Sequence, residues 1–174
     1  QALAHDIKTL QEQGKNIILV SSGGIALGRD LLGVPKDQSP DNISLELRQA
    51  ASAIGQPLLF QEYTNAFSTH GLKTAQILLT VPEIETQKPR NNAIATMRTL
   101  LDNNVISIIN ENDTVATREI KFGDNDQLAA RVAEMMQADL LILLSTVKGL
   151  YTGDPSIDET AQHIPNVKNI AEIE

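Results

Sequence analysis

Four short runs, NIILV (16–20), TAQILLT (74–80), VISII (105–109) and DLLILL (139–144), are made mostly of apolar residues. A strand with one wet face alternates apolar and polar residues. A strand buried on both faces does not, so four such runs predict a parallel sheet covered by helices on each side.

The segments between the runs supply those helices. Residues 2–13 place Leu3, Ile7 and Leu10 on one face, with Gly14 as C-cap. IALGRDLLG (25–33) follows the first strand. A long helical pattern runs over 44–69, interrupted at Gly55–Gln56–Pro57 and ended at Gly71. Residues 90–104 carry the stripe Ile94, Met97 and Leu101, and 125–137 form the next helix, with Met135 and Met136 filling core gaps. VPKDQSPD (34–41) and VPEIETQKP (81–89) read as loops, and GLYTGDP (149–155) as a turn or hairpin before a polar tail. Strands alternating with helices make this an α/β chain, and 174 residues suit one domain, 1–174.

Bulk properties narrow the function. The net charge of −8 argues against nucleic acid and anionic membrane as partners. There is no cysteine, hence no disulfide or thiolate metal site, which suits a reducing, cytoplasmic setting. The longest apolar run is too short to cross a bilayer, and the first ten residues lack the layout of a signal peptide. Aromatics are only 3%, so the core is aliphatic. His5, His70 and His163 share no spacing and read as surface residues.

Parallel sheets bind ligands at the carboxyl ends of their strands. Three of those ends carry polar motifs here. SSGG (21–24) leads from strand to helix; Gly23 and Gly24 allow close backbone approach, and the helix start favours an anion, while the plainer reading has Ser22 as N-cap. NENDT (110–114) and GDNDQ (123–127) gather Asn110, Asn112, Asp113, Asp124, Asn125 and Asp126. Asp124 with Gln127 has the spacing of a capping box, which accounts for one acid and leaves the others. Such oxygens suit an α-ammonium, or Mg²⁺ through its waters. Ser145 and Thr146, in STVKGLYTGDP, are placed to meet a nucleotide, with the following hairpin against its base.

Taken together, VSSGGIALGR, HGLKTAQILLT, INENDTVATREIKFGDNDQLAA and KGLYTGDP resemble the glutamate 5-kinase branch of the amino acid kinase family. The resemblance implies a three-layer αβα sandwich on a mostly parallel sheet, incomplete at both ends, and a homo-oligomer. It implies transfer of the γ-phosphoryl of ATP, with Mg²⁺, to the γ-carboxylate of L-glutamate, the first step of proline synthesis, with proline as feedback inhibitor. By position it makes Ser22, Gly23, Gly24, Asn110, Asp113, Asp124 and Asn125 substrate-binding. It makes Asp126 the acid that organises the catalytic lysines. Ser145, Thr146, Lys148, Gly149 and Tyr151 fall on the nucleotide side, although many members have an acid where Thr146 stands. The lysines themselves map before Gln1 and after Glu174, so this chain alone is expected to be weak or inactive. Alternatives are the kinase part of a bifunctional pyrroline-5-carboxylate synthase and a non-catalytic sensor of glutamate or proline. An acetylglutamate or uridylate kinase fits less well, because the acids suit a free ammonium. The chemistry is consistent with the first reading: a γ-carboxylate with a pKa of about 4.3 is ionised at neutral pH and needs no general base.

Overall fold

The computed structural model describes residues 2–35, 38, 42–115, 124–169 and 171. These form two compact units, 1–141 and 142–174.

The first unit is built on three strands, β1 (Ile18–Val20), β2 (Lys73–Leu79) and β3 (Val105–Glu111), in the order β1-β3-β2 and all parallel. Ile18, Leu19 and Val20 lie opposite Ser107, Ile108 and Ile109, and Lys73 through Leu79 lie opposite Val105 through Glu111. The central strand, β3, is buried from Ile106 to Asn110. Alternate side chains divide the interior into two layers. On one face Ile109, Leu79, Ile18 and Val20 pack against α4 (Val81–Glu85), α5 (Gln87–Asp102) and α6 (Asp124–Met136) through Ile84, Met97, Leu128, Val132 and Met135. On the other, Ile106, Ile108 and Leu19 meet α1 (Ala2–Glu12) and α3 (Leu45–Ser68) through Ala4, Ile7, Phe60 and Phe67. The remaining helix, α2 (Gly24–Leu31), lies against α3. The arrangement is that of an αβα sandwich.

Several sequence expectations are corrected. Helix α1 buries Ala4 and Ile7, whereas Leu3 and Leu10 flank that face at 36% and 37% exposure. Ala4 and Ile7 join the layer formed by Phe67, Leu72, Ile106 and Ile108. Gly14 does close the helix region with a left-handed φ of 77°. Helix α3 is continuous for 24 residues through Pro57, capped by the Ser44 hydroxyl accepting the Leu47 N–H at 3.3 Å. Packing of α2 on the Gly55 turn overrides the local break signal. The predicted loop 81–89 contains α4 and the start of α5. The Glu83 carboxylate accepts both the Thr80 N–H at 2.8 Å and its hydroxyl at 2.9 Å, which starts α4 at once after β2.

The fourth apolar run is not a strand. Residues 139–144 are irregular, with Leu140, Ile142 and Leu144 exposed at 74%, 66% and 75%. Apolar composition favours an extended chain, but a strand exists only when a neighbouring edge takes its N–H and C=O groups. Among the described residues no strand pairs with it.

The second unit is a small ribbon. β4 (Leu150–Tyr151) pairs antiparallel with β5 (His163–Ile164), and the Tyr151 and His163 rings lie 5.3 Å apart. The hairpin expected at 149–155 is therefore wider, its second strand lying in the polar tail. Asp154 and Asp158 shape the connection, each accepting an N–H and a hydroxyl from the residue two further on.

Candidate functional site

Parallel pairing brings the carboxyl ends of β1, β3 and β2 to one edge of the sheet. The Ser21 N–H donates to the Ile109 carbonyl at 2.8 Å, and the Asn112 N–H to the Leu79 carbonyl at 2.9 Å. These two bonds carry the sheet just past its last strand residues. Asn110 and Glu111, expected in the loop, are the last residues of β3.

Ser22 is exposed at the end of β1, while Ser21 beneath it is buried, its hydroxyl 2.8 Å from that of Tyr63. Gly23, not Ser22, is the N-cap of α2, with a φ of 106° that a side chain would strain. Gly24 is buried. A Cβ there would come within 2.8 Å of the Gln56 side-chain nitrogen, so its close neighbour is helix α3.

Asn110 and Asp113 are buried, at 4% and 6% exposure. Buried polar groups need partners, and these are specific. Asp113 Oδ2 accepts the Ser52 hydroxyl at 2.7 Å. Asn110 Oδ1 accepts the Glu111 N–H at 2.9 Å, and its Nδ2 donates to Gln56 Oε1 at 3.4 Å. Ser52 and Gln56, neither of them a site residue expected from the sequence, come from α3. The signal available was a pair of polar residues one turn apart in the small-residue run AASAIGQ.

Helix α6 packs against β3 and β1 through Leu128, Val132 and Met135. Asn125 is half-buried, and its Oδ1 is buried with no donor among the described residues. Asp126 is exposed. Asp124 is the first residue of α6; its side chain, and with it the Asp124–Gln127 capping box, lies outside the described residues, as do 116–123 of the motif. No group of three or more His, Cys, Asp or Glu able to hold a metal ion occurs among the described residues.

The nucleotide-side residues belong to the second unit. Ser145, Thr146, Lys148 and Gly149 are exposed, the Ser145 hydroxyl accepting the Val147 N–H at 3.3 Å, and Tyr151 lies half-buried in the ribbon. A separate cleft of about 290 Å³ opens at the amino ends of β2 and β3, between Lys8, Glu12, Lys73 and Asn104. Lys8 there is paired with Glu12 at 3.3 Å, and parallel sheets bind at the other end, so this cleft is not the candidate site.

Residues 1–174 match the model of the amino acid kinase family along their whole length. The chain belongs to that family. Within it, the chain is similar to the glutamate 5-kinases of Brucella ovis, Brucella canis and Brucella suis, 51% identical over 170 residues in each case. The match covers 98% of this chain and 44% of each relative, so the chain spans less than half their length. Amino acid kinase membership accords with the parallel αβα layering and with polar residues gathered where its strands end. No helix among the described residues is long and apolar enough to cross a membrane.

Proposed function

We propose that the protein containing this chain is an ATP-dependent glutamate 5-kinase, which transfers the γ-phosphoryl of ATP to the γ-carboxylate of L-glutamate in the first step of proline synthesis. Residues 1–174 are then the central part of a single amino acid kinase domain. The observation that carries the reading is that the fold buries acceptor oxygens of two residues of the motif, Asp113 and Asn125. Asp113 is a carboxylate held by a short hydrogen bond, and Asn125 offers a buried oxygen with no donor among the described residues. Asn125 Oδ1, buried with no donor among the described residues, wants one, and an α-ammonium supplies three. The 51% identity to glutamate 5-kinases supports the same substrate.

In this reading Ser22 and the Gly23–Gly24 backbone meet the substrate from β1, while Asn110, Asp113, Asp124 and Asn125 meet it from β3 and α6. Asp126, exposed at the start of α6, organises the lysines of the phosphoryl-transfer step. Ser145, Thr146, Lys148, Gly149 and Tyr151 serve the nucleotide. Mg²⁺ normally binds through one or two carboxylates together with substrate phosphates and keeps several waters. In this reading the ion arrives with ATP and is not held in a closed protein cage. When bound with ATP, the ion would neutralise charge on the phosphates as the ionised carboxylate approaches. The protein works in the cytoplasm as a homo-oligomer, with proline as its feedback inhibitor.

The test is hydroxylamine trapping with the full-length protein, Mg²⁺ and ATP, offering L-glutamate, N-acetylglutamate and L-aspartate in turn. Hydroxamate from L-glutamate alone is expected. Binding of L-glutamate with no hydroxamate from any acceptor would replace the kinase by a non-catalytic sensor.

A further inference from the structure

Helix α3 presents two polar residues one turn apart, Ser52 and Gln56, both buried, at 1% and 6% exposure. For packing on a sheet alone, alanine would serve at either place. Their polar ends are instead directed at residues of the candidate site. Ser52 donates to Asp113 Oδ2. Gln56 closes a ring of three hydrogen bonds. The Glu111 N–H donates to Asn110 Oδ1, Asn110 Nδ2 donates to Gln56 Oε1, and Gln56 Nε2 donates back to the Glu111 carbonyl at 3.5 Å. Reversing the Asn110 amide would set its NH₂ against the Glu111 N–H, so the ring fixes which end of the amide points where.

The lengths rank the links. At 2.7 Å and with a carboxylate acceptor, the Ser52–Asp113 bond is the strong one; the Gln56 bonds, at 3.4 and 3.5 Å, are weak. Asp113 lies in the turn after β3, where a carboxylate has no regular structure of its own to orient it. Ser52 lies eight residues into a 24-residue helix, which supplies that rigidity.

We propose that Ser52, supported by Gln56, is a positioning residue for recognition of the substrate's ammonium group: it fixes the Asp113 carboxylate and does not touch the substrate itself. The inference rests on the glutamate reading above. In the full-length protein, Ser52→Ala should raise the KM for L-glutamate about tenfold, the usual scale for one hydrogen bond to a charged group, with kcat and the KM for ATP within about twofold. The preference for L-glutamate over glutarate, which lacks only the amino group, should fall by the same factor, with glutarate measured as acceptor or as competitive inhibitor. A merely structural residue would weaken both ligands alike. Should the alanine variant fail to fold, Ser52→Cys, of similar volume and with a poor donor, carries the same expectation. An L-glutamate KM within twofold of the unsubstituted protein, or equal losses for the two ligands, would overturn the inference. Absence of hydroxamate from the unsubstituted protein would sink the glutamate reading, and this inference with it.

Discussion

Gly28 and Gly55 meet backbone to backbone where α2 crosses α3. A Cβ on Gly55 would lie 1.7 Å from the Gly24 carbonyl oxygen, and one on Gly28 would lie 1.8 Å from that of Ala51. Neither neighbour is a flexible side chain, so the helices themselves would have to part. Gly55 lies between Ser52 and Gln56 in α3, so this crossing also sets how α3 faces the end of β3. Gly55→Ala should therefore overpack the crossing, at a cost of about 1–3 kcal/mol or more. For a protein of this size that lowers the melting temperature by about 3 °C or more. Thermal unfolding followed by circular dichroism checks this; an unchanged melting temperature would mean that the helices do not cross so closely.

The core makes two opposite forecasts. Met97 is fully buried in the layer formed with Ile109 and Leu128, so Met97→Ala should cost about 2–5 kcal/mol through the cavity it leaves. Ser107, equally buried in mid-strand, has a hydroxyl with no hydrogen-bond partner among the described residues. Removing an unsatisfied hydroxyl relieves a desolvation cost, so Ser107→Ala should leave stability unchanged or raise it by about 1 kcal/mol. Denaturant titration of both variants against the unsubstituted protein distinguishes them. A Ser107→Ala loss as large as that of Met97→Ala would show that the hydroxyl is bonded.

The ribbon of 142–174 responds to acid. The Ser156 hydroxyl, and then its N–H, hold the Asp154 carboxyl below its ordinary value of 3.8. Thr160 does the same for Asp158, hydroxyl first and N–H second. Because the folded-state values are depressed, the stabilisation is present above the unfolded value and is lost as pH falls through the folded one. Carbon-detected NMR titration should place both midpoints below 3.8. Ser156→Ala should move Asp154 part of the way back and leave Asp158 in place. A midpoint for Asp154 at its ordinary value would mean that this turn does not form in solution.

The sequence was most informative where burial alone decides structure. Apolar runs marked β1, β2 and β3, of which β3, flanked by the other two, is the most deeply buried. The run at 139–144 has the same composition and forms no strand, since local pattern cannot say whether a partner edge is at hand. Pro57 marked a break that the Gly28–Gly55 crossing overrides, and tertiary contacts of that kind are invisible in a window of residues. Asn110 and Asp113 stood out as acids and amides at a strand end. Ser52 did not, because its partner, Asp113, lies 61 positions away in sequence. A serine in an alanine-rich helix has no local mark of purpose.

In the proposed function Asp113 receives the ammonium of free L-glutamate. Calorimetric titration of L-glutamate into the full-length protein and its Asp113→Asn variant tests it most directly. That substitution keeps the volume and removes the charge, and loss of a charged hydrogen bond weakens binding by about 10- to 150-fold. A loss in that range is expected, with ATP binding unchanged. Equal affinity of the two proteins for L-glutamate would contradict it.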